Sequence, residues 1–511
     1  MIHIINKRLV FILISLGIIL GTSCKKTYLD VNNDPNRVTD ANVTAELIFT
    51  QAENAVGQRA ASGNFGFLNE WMGYTAPNGG FVPQQNLISY NIDYTFGDAL
   101  FQNHYNVLFD LHQSEVKSLA TGDSAIAGAS IILSAKLFQE LVDLYGDVPY
   151  SQAFNVTKYT TPVYDKAQDI YNSLLARLDT AIDYMMLSQK SAFAAADIIN
   201  HGNAKLWIAF ANTLRLRLLI RQSEVPGFDP SAQIAKIQST GGVLGAGQSI
   251  SVNPGYVNDV NKQNPYYANY GWTTTGTQSN LSTDANAYIV NILSSTNDPR
   301  LGRFFFPAGF DLSNGFVGNT FGDPVGTLAQ ANASSYFGPG LVGDLNSNNV
   351  GTGYSQGQFI YPSYESLFLK AEAVARGWMS GDANAALAAA ITESFVWLGV
   401  PDATTAAATY ISTNPDIATL NSATSVAAKA RIVVYQKYIA NTAIDPLESF
   451  LDQNRLHFLT DKSFISTFPG KISSTLPLRL LYPQSEYTTN SKNVPKEVVA
   501  DAFTKKLFWE P

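Results

Sequence analysis

The chain has 511 residues, 14% of them charged, and a formal net charge of −8. A protein that binds nucleic acid presents clustered positive charge, so this composition excludes nucleic acid as the partner. The single cysteine excludes a fold held together by disulfide bonds. With so few charges, the surface is expected to be rich in hydroxyl and amide groups, which suit neutral polar ligands. The length predicts one to three structural units.

The N-terminus carries the pattern of an export signal. The basic pair Lys7 and Arg8 precedes an uncharged, almost wholly apolar run over residues 9–20. This run is well short of the roughly 20 residues that a membrane-spanning helix needs. Small residues at 21–23 form a cleavable region directly before Cys24. No later segment is expected to be long and apolar enough to span a membrane.

Cys24 resembles the acylated cysteine of bacterial lipoproteins. The sequence therefore predicts a lipoprotein signal peptide over residues 1–23 and a mature chain over 24–511 that begins with a lipidated cysteine. Two or three acyl chains hold a protein stably at a membrane, because each buried methylene contributes about 0.8 kcal/mol. The alternative is an ordinary secretory signal followed by a free cysteine. The polar residues Lys25 and Lys26 are typical of a tether and favour lipidation.

Two segments before residue 190 carry the helical period. Residues 126–145 are apolar nearly all round, as expected of a helix buried on most sides. Between Ala167 and Met185, apolar residues recur at three- and four-residue steps. Asp165 and Gln168 form a candidate capping box at the start of this second helix.

A third helix is predicted over residues 202–221. Its apolar side is followed by three arginines, Arg215, Arg217 and Arg221. We interpret them as cations at the edge of the last turns, where positive charge suits the helix dipole.

Two further segments form a predicted helix pair. Apolar residues repeat at helical spacing over residues 364–378, and Asp382 is the expected N-cap of a partner helix that runs toward Trp397. Paired helices with small alanine contacts are typical of tetratricopeptide repeats, although no strict 34-residue period is visible. We therefore predict a mainly α fold of irregular tetratricopeptide-like helix pairs.

Between the helices lie stretches of another composition. Residues 222–360 are rich in Gly, Asn, Ser, Pro and Tyr, with brief apolar runs, and residues 64–96 are similar. The longer stretch exceeds what a plain loop occupies in a compact domain. It is predicted to be a long, loop-rich insertion with a few short strands, and such loops often carry function.

Both stretches contain clusters of aromatic residues. Such rings can stack on sugar rings or peptide groups while neighbouring amides fix the orientation of the ligand. The predicted ligand-binding residues are Trp71, Tyr74, Tyr266, Tyr267, Tyr270 and Trp272. Replacing Trp71 or Trp272 with alanine is then expected to weaken ligand binding without unfolding. The alternative is that these rings anchor the loops to the helical scaffold.

Other motifs are weaker. Residues 353–357 spell G-x-S-x-G, the nucleophile elbow of hydrolases, but the Asn- and Gly-rich residues before them do not form the strand that this elbow needs. Asp30, Asn32 and Asp34 match the first ligands of a calcium loop, yet Pro35 stands where such a loop needs glycine. The histidines lack metal-ligand spacing. We predict no catalytic residue, no metal site and no cofactor.

Several motifs, in a fixed order, resemble those of the SusD/RagB-type nutrient-binding outer-membrane lipoproteins, and the last of them favours the SusD-like subgroup. Together they cover nearly all of the mature chain. They are CKKTYLDVNNDPNRVT (24–39), LFQELVDLYGDVPYSQAF (137–154), LRLRLLIR (214–221), NDPRL (297–301), YPSYESLFLKAEAVARGW (361–378) and RLLYPQSEYTTN (479–490).

The resemblance implies a helical, non-catalytic protein that is lipid-anchored in the outer membrane at the cell surface. Such a protein captures a glycan or oligopeptide and passes it to a SusC-like TonB-dependent transporter. The transporter and the surface location come from the family alone, and the residues leave the identity of the nutrient open. The alternatives are a surface glycan-degrading hydrolase and a helical adaptor that binds only protein.

Overall fold

The structure is a computed structural model that describes residues 43–61, 65–187, 191–330 and 332–511. The predicted signal peptide, Cys24 and its tether lie outside the described residues. Residues Ala45–Pro511 form one compact unit.

Helices occupy most of the chain up to residue 221. In order they are α1 (Ala45–Ala61), α2 (Gly66–Trp71), α3 (Gln85–Ser89), α4 (Asp98–Ala120), α5 (Ser124–Tyr145), α6 (Ala167–Met186), α7 (Ser191–Ala196) and α8 (Ala204–Arg221). Helix α4 packs against α1 and α5, and α6 packs against α5 and α8. The long helices that follow one another in sequence are therefore neighbours in space.

The rest of the chain has short elements first and longer helices later. The short helices are α9 (Ser231–Ser239), α10 (Pro265–Tyr270), α11 (Ala287–Ser295), α12 (Leu301–Phe304) and α13 (Pro339–Val342). They are followed by α14 (Ser363–Ala375), α15 (Ala383–Trp397), α16 (Ala403–Thr413), α17 (Pro415–Ala418), α18 (Val426–Ala440), α19 (Pro446–Leu456), α20 (Gln484–Thr489) and α21 (Asp501–Thr504). Helix α14 packs against α8, α15 and α18, which joins the two helical groups.

Four short strands form two antiparallel pairs within the described residues. Strand β1 (Thr75–Pro77) pairs with β3 (Thr283–Ala285), and β2 (Ile250–Val252) pairs with β4 (Gln358–Tyr361). Each pair joins segments that are distant in sequence. The predicted mainly α fold, with helix pairs, loop-rich stretches and a few short strands, is confirmed.

Helix α5 is the central buried helix that its composition predicts. Its N-cap Asp123 accepts a hydrogen bond from the Ile126 backbone N–H, and the helix ends at Gly146, where φ is +83°. Among the described residues it is the one helix long and apolar enough to cross a membrane. The expectation that no segment after the signal has this character is therefore wrong. Because 94% of its apolar window is buried in the protein, α5 is a core helix.

Helix α6 forms where the apolar period predicts it, but the predicted capping box is wrong. The residue before its first turn is Lys166, whose side chain makes no cap hydrogen bond. The Asp165 carboxylate instead accepts hydrogen bonds from the backbone N–H groups of Tyr150 at 2.9 Å and Ser151 at 2.8 Å. It therefore holds the turn after α5. By contrast, the predicted N-cap Asp382 is confirmed, since its carboxylate accepts the Ala385 N–H at 2.8 Å.

The arginines of α8 do not edge an exposed helix end. Arg221 is 1% exposed and forms ion pairs with three carboxylates, those of Asp143 at 3.3 Å, Glu448 at 2.7 Å and Asp452 at 3.5 Å. Arg217 is also buried and lies 3.6 Å from Glu448. The interpretation of these cations as partners of the helix dipole is corrected. Arg217 and Arg221 belong to a buried charge network that joins α5, α8 and α19, and Arg215 pairs with Asp179 of α6 at 2.6 Å.

Candidate functional site

One cavity of about 480 Å³ joins the two aromatic segments of the sequence. Part of its wall comes from α2, α3 and the start of α4. The remaining lining residues are Thr75, Gln84, Thr95, Phe96, Tyr270, Asn280, Thr283 and Phe337. We call this space the aromatic cavity. Its volume falls within the range of ligand pockets, about 300–1,000 Å³.

Strand pairing brings the distant walls of the aromatic cavity together. The register of β1 and β3 sets Pro77 opposite Thr283, with Thr75 at the other end of β1. A Cβ added to Gly66, the first residue of α2, would lie 3.5 Å from the Tyr270 hydroxyl oxygen. The hydroxyl of Tyr270 therefore lies against the first turn of α2, on the cavity wall.

Two pairs of aromatic rings line the cavity. Phe67 and Phe96 are half-buried and meet edge to face, with ring centroids 5.0 Å apart. Tyr270 and Phe337 are buried more deeply, with centroids 4.5 Å apart and planes inclined by 37°. Such apolar faces can stack on the C–H face of a sugar ring or on a peptide group.

Three residues of the cavity wall each carry a buried side-chain oxygen that has no hydrogen-bond partner. The oxygens are Oδ1 of Asn69, Oε2 of Glu70 and Oγ1 of Thr75. Nearly all buried polar atoms in folded proteins are paired, and leaving one unpaired costs about 1–3 kcal/mol. Three such residues in one cavity wall leave hydrogen-bonding capacity there that a ligand could use.

Glu70 is the one acidic or basic side chain among the described residues that line the cavity. Burial raises the pKa of its carboxyl to about 8, and no neighbouring cation or hydrogen-bond donor opposes this effect. The effect of Glu70 also reaches Tyr270, whose pKa is raised to about 12 by burial and then by the nearby carboxylate. Perturbed groups of this kind concentrate at functional sites.

Trp71 and Tyr74, two of the predicted ligand-binding residues, lie in the core behind the cavity. Trp71 is fully buried; its ring stacks on Phe96 at 5.9 Å and its indole N–H donates to the Leu87 carbonyl oxygen at 3.3 Å. The Tyr74 hydroxyl donates to the Tyr438 carbonyl oxygen at 2.7 Å. Both side chains are covered by protein, and Trp71 supports two residues of the cavity wall.

The predicted residues of the second cluster are also buried. The Tyr266 hydroxyl donates to the Ala443 carbonyl oxygen, and the Tyr267 hydroxyl to that of Gly351, each at 2.7 Å. Trp272 is 2% exposed. These rings fasten the loop to the scaffold, which is the alternative that the sequence left open.

Of the six predicted ligand-binding residues, Tyr270 lines the cavity and the other five do not. Ligand contact by these five residues stays a prediction. Because they are buried, our proposal gives them a supporting role. Sequence analysis did not single out Phe67 or Phe96, although both lie in the aromatic stretch 64–96. Phe337 and Glu70 were missed altogether. An acidic residue among aromatic residues, such as Glu70 directly before Trp71, is a sequence signal that could have identified Glu70.

A larger cavity of about 640 Å³ lies between α4, α5, α6 and the loop at 150–157. Its charged side chains are paired, Arg177 with Glu115 at 2.5 Å, and its Tyr150 hydroxyl hydrogen-bonds to Ser173 at 2.9 Å. Within the described residues, no buried, unpaired polar side-chain atom lines it. Because size alone does not define a site, we favour the aromatic cavity.

The hydrolase motif lacks its required context. Residues Gly353–Ser355 form a 3₁₀ turn, and a strand, β4, follows them where the nucleophile elbow needs a helix. The described part of the chain holds no group of three or more His, Cys, Asp or Glu side chains placed to bind a metal ion. His104, for example, is buried with its Nε2 3.0 Å from Glu140.

Comparison with known families decides the identity. Residues 33–483 match a SusD-like family described as starch-binding and associating with the outer membrane. This chain belongs to the SusD-like family. The SusD-like protein therefore falls among nutrient- and glycan-binding proteins of the outer membrane. A search of curated proteins found no match for it.

Solved structures share the fold of this SusD-like protein. A SusD/RagB family protein from Bacteroides thetaiotaomicron matches with a TM-score of 0.72 and 19% identity, over 92% of this chain and 99% of its own. A SusD homologue from Bacteroides fragilis matches with a TM-score of 0.71 and 19% identity, over 92% of this chain and 99% of its own. A chitin-binding SusD homologue from Flavobacterium johnsoniae matches with a TM-score of 0.70 and 21% identity, over 90% of this chain and 98% of its own.

Proposed function

We propose that this SusD-like protein is a non-catalytic binding protein that captures a glycan in the aromatic cavity. The observation that carries the proposal is a cavity lined by two aromatic pairs and by three residues that each carry a buried, unpaired oxygen. Sugar hydroxyls supply hydrogen-bond donors, and the C–H faces of sugar rings stack on aromatic rings.

The family description and the chitin-binding relative both support a glycan as the ligand. An oligopeptide is the alternative, because its amide N–H groups are also donors and its planar units also stack. The single carboxyl group of the cavity argues against a glycan hydrolase, since such an enzyme uses a pair of carboxyl groups about 5–10 Å apart. Among the described residues, Glu70 has no such partner on the cavity wall.

Replacing Phe67 with alanine is expected to weaken glycan binding about tenfold, because an aromatic contact contributes about 0.5–1.5 kcal/mol beyond the apolar area it covers. Phe67 is half-buried, so the fold should tolerate the change. The measurement is titration calorimetry of wild type and variant with maltohexaose, cellohexaose and the hexamer of N-acetylglucosamine.

The matched control is Phe109→Ala, which removes a 40% exposed phenylalanine from the wall of the larger cavity. Its affinity should equal that of wild type. If Phe109→Ala weakens binding and Phe67→Ala does not, the ligand belongs to the larger cavity. Absence of any glycan response in wild type would favour the protein-only adaptor, and fragments released from the oligosaccharides would favour a hydrolase.

We also propose that Cys24 anchors the protein by lipid in the outer membrane, at the cell surface, beside a SusC-like TonB-dependent transporter that receives the ligand. The arrangement of residues 7–24 as a lipoprotein signal and the outer-membrane association of the family support this location. Co-purification of the protein from detergent-solubilised membranes tests the partner, because a stable complex would retain the transporter.

Cys24→Ala is expected to move the protein from the membrane fraction to the soluble fraction, because the thiol that carries the acyl chains is lost. Fractionation followed by immunoblotting measures the change. Globomycin, which blocks lipoprotein signal processing, should delay maturation of wild type. Membrane association that is unchanged in the variant would contradict the anchor.

A further inference from the structure

The chemistry of the aromatic cavity points to one class of sugar. The cavity contains a carboxyl group, several neutral polar side chains and four aromatic rings, and no Lys, Arg or His among its described lining residues. A ligand that carried a carboxylate or sulfate there would meet Glu70 without a compensating cation. Acidic saccharides are therefore disfavoured.

The unpaired atoms show the same preference. All three are oxygens, on Asn69, Glu70 and Thr75. An ammonium group carries three N–H donors and no acceptor, whereas a hydroxyl group brings one donor and two acceptor lone pairs. The amide oxygen of Asn69 accepts only, and so does the carboxylate of Glu70 once it has lost its proton. A ligand ammonium thus matches these oxygens without adding lone pairs that need donors of their own.

Among the described residues, the elements packed against Glu70 offer it no unpaired cation. Helix α2 carries Glu70 and packs against β1, which has no charged residue, and against α19. The cation of α19, Arg455, is paired with Glu372 at 2.6 Å and Asp452 at 2.7 Å. The neighbouring titratable group that is affected by Glu70 is Tyr270, which is neutral at physiological pH. Burial raises the pKa of Glu70, and no cation among the described residues offsets this effect. The rings of Phe67 and Phe96, which also line the cavity, can attract a cation.

We propose that Glu70 makes the aromatic cavity selective for a saccharide unit that bears a free primary amine, with which it forms an ion pair. This inference rests on the proposed function, since it requires that the cavity binds a glycan. On binding, the neutral carboxyl loses its proton to solvent when the amine is already protonated, or to the amine when it is not. Either route gives a carboxylate against an ammonium group.

The test compares a glucosamine hexamer with its fully N-acetylated counterpart, which has the same backbone and no amine. Wild type is expected to bind the amine form about tenfold more tightly, because a hydrogen bond to a charged partner is worth about 1.5–3 kcal/mol. In Glu70→Gln, which keeps the size of the side chain and removes its charge, the two ligands should bind alike. Binding of the N-acetylated form should change less than about threefold.

The matched control is Glu46→Gln, which removes an acid from the first turn of α1, away from the cavity wall. This variant should keep the tenfold preference. Equal binding of the two hexamers by wild type, or a preference that survives in Glu70→Gln, would overturn the inference and leave the proposed function standing. If wild type binds none of the glucosamine, N-acetylglucosamine, maltose or cellulose oligomers, the proposed function itself fails.

A third arm separates sugar from peptide. A hexa-alanine peptide with a free N-terminus and the same peptide N-acetylated are titrated in parallel. If wild type prefers the free peptide and does not distinguish the two sugars, the amine recognised by Glu70 belongs to a peptide, and the saccharide assignment is overturned.

Discussion

Arg221→Met is expected to lower the free energy of unfolding by about 3–5 kcal/mol, the cost of removing one partner from a buried ion pair. Methionine keeps an unbranched stem and removes the guanidinium group. Asp143, Glu448 and Asp452 would then share a buried site with too little positive charge, although Arg217 and Lys437 remain near Glu448. Urea denaturation at pH 7 measures the loss.

The loss should depend on pH. Burial acts to raise the pKa of Glu448, but Arg221 and then Arg217 hold it below its usual range. A carboxyl whose folded pKa is lowered contributes stability above its unfolded pKa, and that contribution disappears as the pH falls through the folded value. The difference between wild type and Arg221→Met should therefore be larger at pH 7 than in acid.

Lys262→Ala is the control for Arg221→Met. Lys262 pairs with Asp259 at 2.8 Å, but the two side chains are 64% and 57% exposed. Exposed ion pairs contribute about 0–1 kcal/mol, so this variant should unfold nearly as wild type does. Equal effects of the two substitutions would contradict the role of the buried network.

Trp71→Ala is expected to cost about 3–5 kcal/mol of stability, the range for removing a large aromatic side chain from a core. The sequence led us to expect weaker binding without unfolding, whereas the burial of the ring leads us to expect a loss of stability. Trp71 is fully buried and contacts Phe67, Phe96 and Phe450. Thermal unfolding followed by near-ultraviolet circular dichroism measures the loss.

Trp378→Ala is the matched control, because the Trp378 ring is half-buried and the residue lies just after the end of α14. This variant should lose clearly less stability than Trp71→Ala, because it removes less buried apolar surface. A Trp71→Ala protein that melts as wild type does but binds glycan weakly would restore Trp71 as a contact residue. Phe67→Ala separates the two roles, since it should weaken binding with little loss of stability.

Local signals in the sequence predicted the helices well. The apolar period located α6, and continuous apolarity located α5, because a helix buried on one side or on all sides must repeat or fill its apolar positions. Asp382 was identified as an N-cap because its side chain serves its own helix. Asp165 was misassigned, since its carboxylate serves the backbone at Tyr150 and Ser151, and no local pattern encodes that pairing.

The candidate site was predicted as two aromatic stretches and not as one cavity. Composition identifies aromatic residues, but it does not tell whether a ring faces a ligand or the core. Tyr270 and Trp272 are close in sequence, yet the first lines the cavity and the second packs inside the loop. That difference arises from tertiary contacts such as those of Phe337.

The sequence by itself determined the helical scaffold, the family, and the absence of the charge that nucleic acid requires, because each depends on composition, local periodicity or ordered motifs. It also carries the predicted anchor at Cys24. The tertiary structure alone decided which side chains meet. The β1–β3 register brought Thr75 and Thr283 to one cavity, and the packing of α2 left the carboxyl of Glu70 there without a partner. Such pairings join residues far apart in the chain, where no local pattern relates them.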